Sequence, residues 1–277
     1  MQVVRTRAEL RAALAKLPRP VGLVPTMGWL HDGHRSLIER SRADNATTVA
    51  TIFVNPRQFN DSADFEKYPR NEARDVQLLE DEGVDLVFAP DVAEVYPPGF
   101  DTRVSVGEIA RPLEGAARPG HFDGVATVVA ILFDLVAADR AYFGQKDAQQ
   151  VMVIRQMARD LALPTEVVTC PTVREADGLA LSSRNARLTP DQRAAATVIW
   201  RALSAARDAW NGGERSAEAL RQRMSSELAT EQTAVVEYVS CADSLTLHEL
   251  DTIDGPALLS LAVRFGEVRL IDNELLE

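Results

Sequence analysis

Three observations predict an α/β fold: a doubly wound parallel sheet followed by a second, smaller α+β C-terminal domain. Short strand-type apolar runs alternate with helix-length segments from Val21 to Thr169. The run 47–54 is rich in β-branched residues and lacks polar alternation, as in a sheet covered on both faces. Beyond about residue 171 the order changes to helices followed by three strand-like segments, the pattern of a separate α+β unit. The boundary falls near 170–175, giving domains of residues 1–172 and 173–277.

The elements follow in order. Residues 7–17 set Leu, Ala and charged residues at helical spacing. The run 21–24 is a strand and 35–40 a helix. A helix over 71–82 is closed by Gly83, and the strand 84–88 ends at Ala89-Pro90. Residues 122–137 form an apolar helix, 141–143 a short strand, 147–161 a helix and 165–169 a strand. Thr189 is an N-cap before Pro190 at the first helical position. That Ala-rich helix runs to about 210, where Asn211-Gly-Gly213 stops it. A second helix covers 216–228, and strands cover 235–241, 257–265 and 267–271. In a parallel sheet of this kind ligands bind beyond the carboxyl ends of the strands. The loops beginning at Pro25, Asn55 and Gly144 all lie there.

Composition narrows the function. A formal net charge of −11 argues against a general nucleic-acid or anionic-membrane binder, which needs a basic surface. It leaves room for a small anion in a locally positive pocket. Two cysteines, Cys170 and Cys241, are too few for a disulfide framework and fit a reducing, cytoplasmic setting. The start of the chain lacks a signal-peptide apolar core. The most apolar segment, 125–138, contains Asp134 and is too short to cross a bilayer. The four histidines show no zinc-ligand spacing, so no protein metal site is expected.

The chemistry concentrates in the stretch Pro25-Thr-Met-Gly-Trp-Leu-His-Asp-Gly-His34, between a strand and a helix. Such a loop can offer backbone N–H groups and a helix N-terminus to a phosphate. His31 and His34, spaced i, i+3, fall on one side of the first helical turn and can donate to phosphoryl oxygens. Taken alone, the stretch is equally a βα turn with two surface histidines. It is neither a P-loop nor a Gly-x-Gly-x-x-Gly fingerprint. Lys146, Ser182, Ser183 and Arg184 add an ammonium, two hydroxyls and a planar fork, a donor set suited to a triphosphate. The Ser-Ser-Arg loop at the boundary is placed to act as a lid. Magnesium is expected to arrive with the nucleotide, held by phosphates and waters.

His31-Asp-Gly-His34 resembles the His-x-Gly-His signature of the nucleotidyltransferase-like superfamily. The fuller set resembles one of its families, the pantoate–β-alanine ligases (pantothenate synthetases). It comprises Pro25-Thr-Met-Gly-x-Leu-His-x-Gly-His34, Phe53-Val-Asn-Pro-x-Gln-Phe59, Tyr68-Pro-Arg70, Glu114-Gly-x-x-Arg-Pro-Gly-His-Phe-x-Gly-Val125, Phe143-Gly-x-Lys-Asp-x-Gln-Gln150 and Asp177-Gly-Leu-Ala-x-Ser-Ser-Arg-Asn185. Arg269-Leu-Ile-Asp-Asn273 resembles the family's C-terminal strand, so the likeness covers essentially the whole chain.

The resemblance implies a Rossmann-like fold and ATP-dependent joining of pantoate to β-alanine through a pantoyl adenylate. It also implies a homodimer. It makes His34 the catalytic proton donor, with His31, Lys146, Ser182, Ser183 and Arg184 beside it. Met27, Gly28, Trp29, Leu30, His31, Asp32, Gly33 and His34 would line the ATP site. So would Gly144, Gln145, Lys146, Asp147, Val173, Leu181 and Ser182–Arg184. Gln58 and Gln150 would bind pantoate, and Gln58 also β-alanine. Two rival readings are a nucleotidyltransferase whose product keeps the nucleotidyl group and a nucleotide-sensing binding protein without turnover.

Overall fold

The computed structural model describes residues 1–60 and 65–277. The chain divides into two compact units. The first comprises Met1–Gln145 with Gln149–Pro171; the second comprises Lys146–Ala148 with Thr172–Glu277.

The first unit holds six parallel strands: β1 (Gln2–Val4), β2 (Val21–Thr26), β3 (Thr47–Ile52), β4 (Leu86–Phe88), β5 (Arg140–Gly144) and β6 (Glu166–Cys170). Their order is β1-β4-β3-β2-β5-β6. Alternate residues point to opposite faces, which explains the near-continuous apolar runs. Leu23, Val49, Leu86, Phe88 and Phe143 enter the core on one face, with helices α1 (Arg7–Leu14), α4 (His121–Val136) and α5 (Ala148–Asp160). Val24, Ala50, Val87 and Tyr142 enter the core on the other, with α2 (Asp32–Asp44) and α3 (Glu72–Asp81). The sheet is therefore doubly wound, as expected.

Strand β1 was not foreseen. Three residues are too few to display a period, and pairing of Gln2–Val4 with Leu86–Phe88 is what orders them. Among the described residues, no helix is long and apolar enough to cross a membrane.

In the second unit β7 (Ala234–Asp243), β8 (Ala257–Phe265) and β9 (Val268–Leu276) form an antiparallel sheet. Leu259, Leu261, Val263, Leu270 and Leu276 form a core with Ile199, Leu203, Leu220 and Met224. The expected single helix from Pro190 is two, α6 (Pro190–Ala195) and α7 (Val198–Asn211), ahead of α8 (Ala217–Leu228). At the junction Thr197 Oγ1 donates to the Ala194 carbonyl at 2.8 Å, and Ile199 N–H reaches only to Ala196. Such a side-chain bond competes with the helical ladder.

Strand β9 also runs past the expected end at 271. Its polar residues have partners: Asp272 pairs with Arg174 at 2.5 Å, and Asn273 Nδ2 donates to the Lys146 carbonyl at 2.9 Å.

Candidate functional site

Strand β2 pairs with β3 on one side and β5 on the other, so the chain reverses its winding direction between β2 and β5. A crevice at such a switch point is where this architecture binds ligands. The loop leaving β2 carries Met27 to His34. Gly28 and Trp29 both take left-handed backbone angles, φ 79° and 52°. That turn aims the Trp29 and Leu30 N–H groups at Asp75, whose carboxylate accepts them at 2.7 and 2.9 Å. Asp75 is 1% exposed. A Cβ on Gly28 would sit 2.9 Å from its Oδ2, so the close approach requires glycine. Leu30 points into the core, and its carbonyl accepts from Arg74 at 3.0 Å.

His31 is the N-cap of α2. Its Nδ1 accepts the Gly33 N–H at 3.2 Å, and His34 Nδ1 accepts the His31 N–H at 3.3 Å. The ring centroids lie 4.2 Å apart. A neutral imidazole accepting at Nδ1 carries its proton on Nε2. Each ring is therefore fixed as an Nε2–H donor at the positive end of a 13-residue helix.

The N–H groups of Gly28, Trp29, Leu30, His31, Gly33 and His34 already have protein acceptors. Asp75 takes those of Trp29 and Leu30, Thr26 Oγ1 takes that of Gly28, and the histidine cap takes the other three.

Beyond β3, Asn55 caps a 3-10 turn over Pro56–Gln58. Gln58 is 9% exposed. Its carbonyl lies 3.2 Å from Arg118 Nη2 and 2.8 Å from His121 Nδ1. Helix α4 comes in closely at Gly124, where a Cβ would lie 2.2 Å from the Arg57 carbonyl. An adjacent cleft of ≈ 510 Å³ is lined by Arg57, Gln58, Asn60, Arg103, His121 and Asp123 among others. Of the residues expected to meet substrate, Gln58 lines this cleft.

Beyond β5, Gly144 leads into a 3-10 turn over Gln145–Asp147. Lys146 Nζ lies 3.5 Å from Asp147, with 15% of its side chain exposed. Gln150 is half-buried at the start of α5. Its neighbour Gln149 is buried as a tie, accepting from Glu114 N–H and donating to the Ile109 and Pro112 carbonyls.

In the second unit, Val173 and Leu181 face each other across a hairpin, with Leu181 N–H donating to the Val173 carbonyl at 2.9 Å. Ser182 Oγ then accepts from Arg184 N–H at 3.2 Å, capping a 3-10 turn over Ser183–Arg187. Val173, Leu181, Ser182, Ser183 and Arg184 are thus gathered in one hairpin and its exit turn. Arg193 grips this hairpin through Glu175 at 2.7 Å and Asp177 at 2.8 Å. The hydrogen bond from Arg193 holds the Asp177 carboxyl below its ordinary range. Beneath it, Arg174 forms a two-pronged pair with buried Asp272 and lies over the Trp200 ring.

Sequence reasoning did not single out Asp75 or Arg193. Each sits among other charged helical residues, and only the fold reveals its partner. Among the described residues, no group of three or more His, Cys, Asp or Glu side chains could hold a metal ion.

Similar proteins agree with this architecture. The family model described as pantoate-beta-alanine ligase matches residues 2–275. A pantothenate synthetase from Roseiflexus sp. (strain RS-1) is 59% identical over 277 residues, covering 100% of both chains. The crystal structure of a pantothenate synthetase from Thermus thermophilus superposes with a TM-score of 0.95, at 50% identity and 99% coverage of each chain. A pantoate-beta-alanine ligase from Francisella tularensis, complexed with beta-gamma ATP and beta-alanine, gives a TM-score of 0.81 at 35% identity, covering 99% of this chain and 97% of that one. A full-length match of this strength, on the doubly wound sheet with its histidine-capped helix, means that the chain belongs to the pantoate-beta-alanine ligase family.

Proposed function

We propose that this protein condenses pantoate with β-alanine at the expense of ATP, releasing AMP and pyrophosphate. A carboxylate is a poor acyl electrophile, so it must first be activated. The pantoate carboxylate attacks the α-phosphorus of ATP, the bond to the β-phosphate oxygen breaks, and pyrophosphate leaves. The β-alanine amine then attacks the acyl carbon of the pantoyl adenylate. AMP departs with the C–O bond electrons, and the amine loses its proton.

Negative charge grows on the phosphoryl oxygens in the first step, so fixed donors aimed there stabilise the transition state most. His34 serves as proton donor with His31 beside it, and Lys146, Ser182, Ser183 and Arg184 bind the polyphosphate. Residues 173–277 serve as the lid, which protects the adenylate from water. Met27 to His34, Gly144 to Asp147, Val173 and Leu181 complete the ATP contacts. Gln58 and Gln150 hold the pantoate hydroxyls, and Gln58 also meets β-alanine. Magnesium enters with ATP as part of that substrate, held by phosphates and waters. The working form is a cytoplasmic homodimer.

The observation that carries this reading is the pair of imidazoles locked as Nε2–H donors at the start of α2, within a chain of this family. The test is AMP release from MgATP and pantoate with and without β-alanine. Release that requires β-alanine is expected. A product that keeps the nucleotidyl group, whether or not amine is present, would replace this reading with plain nucleotidyl transfer.

A further inference from the structure

Buried Asn55 occupies the centre of a polar relay that the reaction scheme above does not use. Its Nδ2 donates to the Gly124 carbonyl at 3.0 Å and to Gln58 Oε1 at 2.9 Å. Its Oδ1 accepts from Arg57 N–H at 3.2 Å and from the Tyr96 hydroxyl at 2.7 Å. The orientation of this amide is forced. A carbonyl can only accept and a backbone N–H can only donate, so a flipped Asn55 would oppose like groups at both Gly124 and Arg57.

The consequence passes to Gln58. Because Asn55 presents Nδ2, the Gln58 amide must turn its oxygen toward it and its Nε2 hydrogens away. Among the described residues, no acceptor for Gln58 Nε2 is found. Hydrogen bonds in such a chain polarise one another, so the Tyr96 proton strengthens the donor at the far end.

Tyr96 itself is well placed to hold this orientation. Its ring packs against Phe53 and Phe100, at centroid distances of 6.1 and 5.1 Å. The Arg57 guanidinium lies over the same ring, 4.8 Å from its centroid. Burial pushes the phenol above its ordinary value, so it remains a proton donor throughout the working range.

We infer that Tyr96, acting through Asn55, is a positioning residue that fixes Gln58 as a hydrogen-bond donor toward an oxygen atom of the acid substrate. Gln58 therefore recognises a lone pair on pantoate, a hydroxyl or carboxylate oxygen, rather than a hydroxyl proton. The inference rests on the reading of Gln58 as a pantoate-binding residue. Tyr96 touches no substrate in this scheme.

The test compares Tyr96→Phe, Gln58→Ala and the double variant by steady-state kinetics, with pantoate and ATP varied separately. Phenylalanine keeps the ring contacts and removes only the hydroxyl. The pantoate KM of Tyr96→Phe is expected to rise about three- to tenfold, the worth of one neutral hydrogen bond. Its ATP KM should stay within about twofold, a split that general loosening of the fold would not produce. In the Gln58→Ala background the same change should add nothing, because the relay has lost its end point.

An unchanged pantoate KM in Tyr96→Phe, with a raised one in Gln58→Ala, overturns the role of Tyr96 and leaves the reading of Gln58 intact. An equal rise in both backgrounds also overturns it, because Tyr96 would then act by another route. An unchanged pantoate KM in Gln58→Ala overturns the assignment of Gln58 itself.

Discussion

Asp75 holds the Trp29 backbone N–H at 2.7 Å, joining α3 to the left-handed turn that delivers the two histidines. The same carboxylate takes the Leu30 N–H at 2.9 Å. Asp75→Ala strands two donors at a buried turn, and charge-assisted bonds of this kind put the cost at about 2–4 kcal/mol. Urea unfolding should show that loss, with adenylate formation falling because α2 is no longer held at its entry. A variant as stable as wild type would mean that the turn is fixed by other contacts.

His34→Ala and Lys146→Ala each remove a proposed transition-state donor. Each should slow adenylate formation by on the order of 10²–10³, the loss typical of one such donor. His34→Ala additionally removes the acceptor of the His31 N–H. Single-turnover pyrophosphate release is the readout, and a near-normal rate in either variant would remove that residue from the mechanism.

Gly124 marks the closest approach of α4 to the loop that carries Gln58. In Gly124→Ala the new methyl would lie 2.2 Å from the Arg57 carbonyl and 2.7 Å from the Gln58 nitrogen, so backbone must move. Overpacking of this sort costs about 1–3 kcal/mol. Calorimetry should find pantoate affinity lowered and ATP affinity preserved; the opposite pattern would sever Gln58 from pantoate.

The Arg193–Asp177 pair gives the Ser-Ser-Arg hairpin a pH signature. The Asp177 carboxyl is held below its ordinary 3.8, chiefly by the hydrogen bond from Arg193, against a smaller opposing effect of burial. A carboxyl depressed in the folded state adds stability that is present above its unfolded value and lost as pH falls through the folded one. Asp177 is 44% exposed, so solvent screening limits the contribution to about 1 kcal/mol or less. The stability difference between wild type and Asp177→Asn should be level above about pH 5 and shrink below about pH 4. A difference that grew on acidification would contradict this.

The doubly wound sheet was legible because its buried strands leave unbroken apolar runs that alternate with helix-length segments. Leu23 and Val24 face opposite cores, and both faces are covered. Strand β1 and the tail of β9 were not legible. The first depends on pairing with β4, and the second on partners for Asp272 and Asn273. Of the proposed site residues, the histidine pair and the Ser-Ser-Arg stretch could be picked out by residue type and spacing. What the loop does with its backbone could not. The Asp75 carboxylate that takes the Trp29 and Leu30 N–H groups is 45 positions along the chain from Leu30, and nothing local distinguishes it from a surface acid.

Activation of the acid in a separate first half-reaction is the claim on which the mechanism depends. The measurement is incubation of the protein with MgATP and pantoate in the absence of β-alanine, quenched and assayed for pyrophosphate and for an acid-labile pantoyl adenylate. Both are expected, in amounts close to the enzyme concentration, with AMP and pantothenate appearing when β-alanine is then added. Pyrophosphate release that occurs only once β-alanine is present, with no adenylate beforehand, would contradict it.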